Sequence, residues 1–154
     1  MPKNKNIAPA YVAGVIANNA SVCRQFARIL GGEVVATGDG FCTVTRERPE
    51  LSPTILGRPY TATAMFGYRS PDVGGLTLNT GEVPMLQREV NPFIDSLRDD
   101  TILVTAIHTH WLFDRPRLVY VHFEAVSDPL AFAQAVADAF ALLTGRGDDD
   151  TDQP

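Results

Sequence analysis

The sequence predicts an α+β fold: a single domain with a largely antiparallel sheet packed against helices. Three observations support this prediction. The chain has 154 residues, a common size for one domain with its own core. Its helical and extended segments do not alternate regularly, as they would in a doubly wound fold. The C-terminal half has the order β-α-β-β-α, and the domain is placed at residues 1–145.

The N-terminal half is expected to contain a helix, a hairpin and at least one further strand. Val22, Phe26 and Leu30 recur at helical spacing, and two glycines follow them as a C-terminal cap. The stretch GGEVVATGDGFCTVTRERP has turn residues between two extended arms, which is typical of a hairpin. After it, ELSPTILGRPY is expected to be an irregular loop and YTATAMFGY a strand. Residues 9–18 are interpreted as a helical turn or a separate helix.

The C-terminal half begins with another extended segment, LTLNTGEVPML. Asn91 precedes a proline and is interpreted as the cap of a helix. Two strands follow, at residues 102–109 and 118–125, joined by a loop. Asp128 repeats the cap-and-proline signal, and apolar residues at helical spacing continue from it until Gly145 ends the helix.

The overall charge argues against two kinds of partner. The net charge is −5 and the pI is about 5, whereas proteins that bind nucleic acid phosphates or anionic lipid need a cationic face. No apolar run approaches the roughly 18 residues that cross a bilayer. We therefore expect a small-molecule substrate or ligand and neither a nucleic acid nor a membrane partner. An oligomer is compatible with the sequence.

The N-terminus indicates a cytoplasmic protein. The first residues resemble a signal peptide only weakly, because they are rich in alanine and are interrupted by Asn18 and Asn19. Cys23 and Cys42 are then most simply two reduced thiols, although one disulfide is possible. The acidic tail, residues 146–154, lacks apolar residues and is expected to be disordered.

All three histidines of the chain lie between positions 108 and 122, and strand alternation places them on one face. On the first arm, Val104, Ala106, His108 and His110 share the histidine face, and Leu103, Thr105, Ile107 and Thr109 face the helices. On the second arm, the histidine face carries Leu118, Tyr120, His122 and Glu124, and the helix face carries Val119, Val121, Phe123 and Ala125. A hairpin centred on residue 114 sets Ala106 opposite His122, and one centred on 115 sets His108 there. Either register keeps the histidines together.

Three imidazoles at this spacing suit a divalent metal ion. Cross-strand Cβ atoms lie about 4.5–5.5 Å apart, so the rings can converge on one ion with bonds of about 2.0–2.1 Å. Zinc is the preferred candidate, since three neutral nitrogen donors leave one of its positions open for water or substrate. Two alternatives stay open: a metal-free acid–base or ligand pocket, and histidines with a purely structural role.

Four other side chains are candidates for the same site. Glu82 lies in an extended segment and is either a fourth ligand or general base, or an exposed carboxylate at a strand end. Tyr120 is a proton donor or a packing partner of the neighbouring strand. Arg117 binds an anionic group of the substrate, or it forms an ion pair with Asp114. Trp111 lines a substrate pocket, or it packs on its own loop.

Two further carboxylates are assigned supporting roles. Glu89 precedes a predicted helix start, where a carboxylate interacts favourably with the helix dipole, so we assign it a structural role. Glu124 shares the histidine face and is a candidate for contacting the ligand side chains without binding the ion itself.

Several of these motifs resemble the LppY/LpqO-like family of bacterial proteins, a domain of unknown function. The resemblance lies in the Gly-Glu pair, Glu-Val-Asn-Pro, the His-x-His and a strand ending in His-Phe: Gly81, Glu82, Glu89, Val90, Asn91, Pro92, His108, His110, Pro116, Arg117 and His122. TRERPEL is similar to a further segment of the family, but less specifically. The resemblance covers about residues 20–144.

The chain also departs from the family pattern. Thr109 replaces the usual asparagine between the histidines, Trp111 stands where a smaller apolar residue is common, and Gln87-Arg88 replaces an acidic pair. The family implies no established reaction. The resemblance therefore supports the same site residues without naming an activity.

These observations together predict a metal-dependent enzyme that acts on a small organic substrate by hydrolase, lyase or isomerase chemistry. The expected metal ligands are His108, His110, His122 and Glu82. The expected catalytic residues are Glu82, His108, His122 and Tyr120. A non-catalytic module that binds a small ligand or a protein in the same pocket is one alternative, and a metal-free histidine acid–base enzyme is the other.

Overall fold

The computed structural model describes residues 18–145. The helical stretch expected at residues 9–18 lies outside this range except for Asn18, and the tail at 146–154 lies wholly outside it. The helices are α1 (Asn19–Leu30), α2 (Val90–Asp99) and α3 (Pro129–Phe140). The strands are β1 (Glu33–Gly38), β2 (Phe41–Glu47), β3 (Thr54–Ile55), β4 (Arg58–Pro59), β5 (Thr63–Arg69), β6 (Thr77–Leu86), β7 (Leu103–His108), β8 (Asp114–Arg115) and β9 (Leu118–Ser127).

Six strands form one sheet in the order β1-β2-β5-β6-β9-β7, and every neighbouring pair in it is antiparallel. The helices pack against one face of this sheet, and we call the opposite side the outer face. The predicted α+β class is confirmed, as is the β-α-β-β-α order of the C-terminal half. In that half, β6, α2, β7, β9 and α3 follow one another along the chain, with the short β8 between β7 and β9.

The core lies between the helices and the sheet, because each helix presents one apolar stripe to it. The predicted stripes are confirmed: Phe26 of α1, Phe93 of α2 and Phe132 of α3 are each at most 2% exposed. They pack with sheet residues such as Phe66 and Phe123 in one continuous cluster. Burial of large aromatic side chains is the main stabilising term of such a core.

Two of the four predicted helix boundaries are confirmed. Gly145 as the end of α3 is wrong, because the helix ends at Phe140 and the amide of Gly145 donates to Glu89 instead. The Asp128 carboxylate accepts hydrogen bonds of 2.9 Å from the amides of Leu130 and Ala131, which caps α3. Gly31 ends α1 at φ 65°, a left-handed conformation that glycine adopts without strain. Asn91 as a cap is wrong, since a 3₁₀ turn at Gln87–Glu89 leads into α2 and places Asn91 inside the first helical turn.

The segment ELSPTILGRPY is more ordered than the expected irregular loop. It contains a 3₁₀ turn at Pro49–Leu51 and the short hairpin β3–β4, which pairs with β8 to form a three-stranded sheet. Gly57 at φ 75° permits the tight hairpin turn. A second apolar cluster lies on the outer face of the large sheet. It consists of Leu51, Ala62, Leu86, Leu118 and Tyr120.

A β-bulge changes one predicted face assignment. The register of β7 against β9 shifts between Val104 and Ala106, so the alternation restarts there. As a result, Val104 packs against the core, whereas Leu103 is 63% exposed and lies opposite Glu124. The assignment of Leu103 to the helix face and Val104 to the histidine face is therefore wrong.

A buried ion pair joins the ends of several elements. The Arg48 side chain is fully buried, and its two terminal nitrogens donate to the Glu89 carboxylate at 3.0 and 3.2 Å and to the Pro84 carbonyl at 2.9 Å. Glu89 also accepts the amides of Leu86 and Gly145. Burial alone would raise the pKa of Glu89, but these hydrogen bonds outweigh it and lower the pKa. The structural role assigned to Glu89 is confirmed, although its main partner is Arg48.

The cysteines are not reduced thiols. Cys23 of α1 and Cys42 of β2 form a disulfide, with Cα atoms 5.5 Å apart. The interpretation as two free thiols is thus wrong. Its physical reason lies in the packing of α1 on β2, which brings together two residues that are 19 positions apart in the sequence.

We predict that Arg48→Met lowers the free energy of unfolding by about 3–5 kcal/mol, because it leaves the buried Glu89 carboxylate without its cation. Denaturant unfolding measures the change. The matched control is Glu50→Gln: Glu50 contacts Arg48 at 2.9 Å, but its side chain is 40% exposed, so the expected loss is at most about 1 kcal/mol. Equal losses for the two variants would contradict the assignment.

We also predict that the unfolded, unreduced protein takes up no alkylating reagent, whereas prior reduction exposes both cysteines of the chain. Mass spectrometry of the alkylated protein measures the uptake. Alkylation of either cysteine before reduction would show that the disulfide is not formed.

Candidate functional site

The register of β9 places the predicted site residues side by side. His122 lies opposite Glu82 of β6 on one side and opposite Ala106 of β7 on the other. His108 is the last residue of β7 and lies opposite Tyr120. The hairpin is therefore centred on residue 114, one of the two predicted registers. His110 follows two residues after the end of β7.

The three histidines form one compact group. Each offers a nitrogen that lies within 4.8 Å of the nitrogens offered by the other two. The ring centroids of His108 and His122 are 4.7 Å apart, and those of His108 and His110 are 5.2 Å apart. His108 and His110 are exposed and His122 is half-buried, so the group faces solvent at the outer face. Glu82 lies beside this group rather than within it.

Tyr120 holds His110 next to the other histidines. Its ring stacks on the His110 imidazole, with centroids 3.5 Å apart and planes inclined by 6°. Tyr120 itself is anchored in the apolar cluster on the outer face. Partial burial lowers the pKa of His110, and the neighbouring His108 and His122 lower it further, against the opposing effect of Glu82. His110 is therefore neutral at pH 7, which is the form that binds metals.

The two nitrogens of His122 have different surroundings. Nδ1 lies 3.5 Å from an oxygen of the Glu82 carboxylate. Nε2 is buried and has no hydrogen-bond partner among the described residues. Metal-binding histidines commonly have this arrangement: one nitrogen donates to a carboxylate, and the other is free to bind the ion. In His108, Nδ1 similarly lies 3.4 Å from the Thr109 carbonyl oxygen.

Two aromatic side chains, Trp111 and Tyr60, lie beside the histidine group. Trp111 is 44% exposed, and its ring packs edge-to-face on Tyr60 at a centroid distance of 6.2 Å. The Tyr60 hydroxyl is buried and has no hydrogen-bond partner among the described residues. Burial raises the pKa of Tyr60, and nearby Tyr120 and Asp114 raise it further. Sequence reasoning missed Tyr60, because it lies in the segment expected to be an irregular loop.

Two other predicted site residues are placed outside the group. Arg117 donates to the Leu112 carbonyl at 2.9 Å, and Asp114 is buried and accepts the Leu118 amide at 2.9 Å. The suggested ion pair between Arg117 and Asp114 is therefore wrong, because each side chain is engaged by the backbone of the loop instead. Glu124 is exposed on the outer face, opposite Thr80 and Leu103.

A shallow groove leads away from the histidine group along the outer face. Its volume is about 210 Å³, and it is lined by Thr43, Met65, Phe66, Gly67, Arg69, Thr80, Gly81, Glu82 and His122. Only Glu82 and His122 of this set were predicted as site residues. Arg69 was missed because β5 offers no sequence signal beyond its alternation; only the pairing of β5 with β6 brings it to the site.

The fold and the site define a small α+β protein with three clustered histidines that could hold a metal ion. The donor set fits a divalent ion, because a buried and unpartnered imidazole nitrogen lies beside two further imidazoles.

Sequence comparison assigns the family. Residues 24–142 match the family described as Domain of Unknown Function (DUF1259), so the chain belongs to this family. No curated protein and no solved structure matches the chain. Among residues 18–145, no helix has the length and apolar character that crossing a membrane requires.

We predict that His110 in the metal-free protein titrates below 6.5, the usual value for histidine, because burial disfavours its charged form. Titration of the imidazole resonances by NMR measures the pKa, and the variant His110→Gln assigns the resonance. A pKa at or above 6.5 would contradict the partial desolvation of the His110 ring.

Proposed function

We propose that the protein is a metal-dependent enzyme whose ion is bound by His108, His110 and His122. The observation that carries this proposal is the buried Nε2 of His122, which has no hydrogen-bond partner in the described chain. An imidazole nitrogen buried in this way is costly unless something binds it. Two more imidazoles offer nitrogens within 4.8 Å, and zinc is the ion that such a donor set suits best.

Glu82 supports the site by positioning His122 rather than by binding the proposed ion. Its carboxylate lies 3.5 Å from Nδ1 of His122, so it orients the ring and increases the basicity of the other nitrogen. Glu82 also lines the groove, which supports a role as general base toward a substrate bound there.

The bound ion would polarise a carbonyl or activate a water molecule, which is the common chemistry of hydrolases, lyases and isomerases. Tyr120 complements this chemistry. Burial raises the pKa of its hydroxyl, so Tyr120 stays protonated at neutral pH and can act as a proton donor. Trp111 and Tyr60 form the aromatic side of the site, where they would exclude water from a bound small organic substrate.

We further infer that the chain is an LppY/LpqO-like member of its family, since Gly81, Glu82, His108, His110 and His122 all match that pattern and lie together in the fold. The expected cytoplasmic location rested on the N-terminal sequence, and the two reduced thiols were expected from that location. The disulfide argues against it, because disulfides persist mainly in oxidising compartments. We therefore propose that the protein works in an oxidising compartment.

The test is a cobalt titration of the untagged protein. Trp111 is the single tryptophan of the chain, and it follows directly after His110. Binding of one Co²⁺ should therefore quench its fluorescence and give visible absorption bands. We expect His110→Ala and His122→Ala to lose stoichiometric binding, and Glu82→Gln to weaken it by about 10–100-fold, the usual effect of removing the partner of a ligand.

Glu124→Gln is the matched control, because Glu124 lies two residues from His122 on the same face but is exposed. It should bind Co²⁺ like the wild type. Metal binding that survives His122→Ala would contradict the proposed ligand set. Failure of the wild type to bind any divalent ion would favour a metal-free acid–base enzyme or a binding module.

A further inference from the structure

The groove beside the histidine group has the features of a binding site for an anion. The groove runs along the outer face in the direction of the strands. At one end of it, Met65 of β5, Glu82 of β6 and His122 of β9 lie opposite one another in a row across the sheet. The next row holds Gly67 of β5 and Thr80 of β6. Arg69, two residues further along β5, lines the same groove. The groove therefore connects the proposed metal site to one cationic side chain.

Arg69 is free to bind a ligand. Its side chain is exposed, and it forms no hydrogen bond, ion pair or ring contact with the rest of residues 18–145. Two other arginines near the site differ from Arg69, because their guanidinium groups are already bound by other parts of the chain. Arg48 is fully buried against Glu89, and Arg117 is bonded to the Leu112 carbonyl. Arg69 is thus the guanidinium that the groove presents to solvent.

The floor of the groove suits a narrow, polar molecule. Gly67 contributes no side chain to it, and a Cβ built there would meet the Cys42 carbonyl oxygen at 3.0 Å and Thr43 Oγ1 at 3.8 Å. Thr43 and Thr80 border this position, and neither hydroxyl has a hydrogen-bond partner among the described residues. Two hydroxyls and one guanidinium therefore line a groove that ends at His122 and Glu82.

The charges favour an anion at the Arg69 end. A guanidinium presents paired donors that match the oxygens of a carboxylate or a phosphate. Glu82 is the carboxylate that lines the groove, and it lies at the opposite end beside Nδ1 of His122. A ligand oxygen at Arg69 therefore has a cationic partner, and the other end of the ligand reaches the histidines.

We propose that this groove selects small organic anions: Arg69 binds a carboxylate or phosphate group, and a second oxygen-bearing group of the same molecule lies at the histidine cluster. The inference rests on the proposed metal site and names its substrate class. It also replaces Arg117 by Arg69 as the residue that recognises an anionic substrate.

The test compares three probes of similar length on the Co²⁺-loaded protein: octanoate, suberate and 8-phosphonooctanoate. Long probes are needed because Arg69 lies four residues along β5 from Met65, about 13 Å at strand spacing, and two strands away from His122. Each probe has one carboxylate for the metal site, and only the last two have a second anionic group for Arg69. The visible cobalt bands measure binding. We expect suberate or 8-phosphonooctanoate to bind about tenfold or more tightly than octanoate, the gain typical of one charge-assisted hydrogen bond. Which of the two binds more tightly distinguishes a carboxylate from a phosphate substrate.

Arg69→Gln should abolish this preference while cobalt uptake stays unchanged, and Arg69→Lys should keep part of it. Arg24→Gln is the control, because Arg24 is exposed on α1, on the other side of the sheet. Thr80→Val tests the groove separately and should weaken the binding of both dianions. A preference that persists in Arg69→Gln, or equal binding of all three probes, overturns the proposal.

The outcomes separate this inference from the proposed function. Cobalt uptake without a preference for the dianions overturns the substrate class alone. No cobalt uptake by the wild type overturns the metal site, and the substrate class with it.

Discussion

The buried ion pair between Arg48 and Glu89 is the interaction on which the arrangement of the site depends. It joins the chain after β2 to the start of α2, and it also fixes the end of β6 through Pro84 and Leu86 and the chain after α3 through Gly145. A buried charge without its partner is strongly destabilising. The two residues therefore anchor the end of the strand that carries Glu82, and the pairing of this strand with β9 sets the carboxylate beside His122.

Several residues that resemble the LppY/LpqO-like pattern have one of two different physical roles. Glu89, together with Arg48 in the less specific TRERPEL segment, belongs to the scaffold. Gly81 also serves packing, since a Cβ at this position would lie 2.4 Å from the Phe123 ring. His108, His110 and His122 with Glu82 form the candidate site. The scaffold explains why motifs far from the histidines accompany them in one sequence pattern.

Sequence reasoning could place the three histidines together because strand alternation and hairpin register are local properties, and His108 and His122 belong to two strands of one hairpin. It could not assign Leu103 and Val104 correctly, since the bulge beside them has no signal in the residues themselves. The disulfide, the Arg48–Glu89 pair and the groove with Arg69 were also missed. Each depends on contacts between segments that are far apart in the sequence, which residue spacing does not reveal.

His108, His110 and His122 should bind one metal ion together. X-ray absorption spectroscopy of the zinc-loaded protein can test this ligand set, because it counts the atoms around the ion and identifies imidazole rings. We expect one zinc per chain with three imidazole nitrogens at about 2.0–2.1 Å, and one imidazole fewer in His110→Ala if the ion is retained there. A zinc site with fewer than three imidazoles in the wild type, or the same spectrum in His110→Ala, would contradict this ligand set.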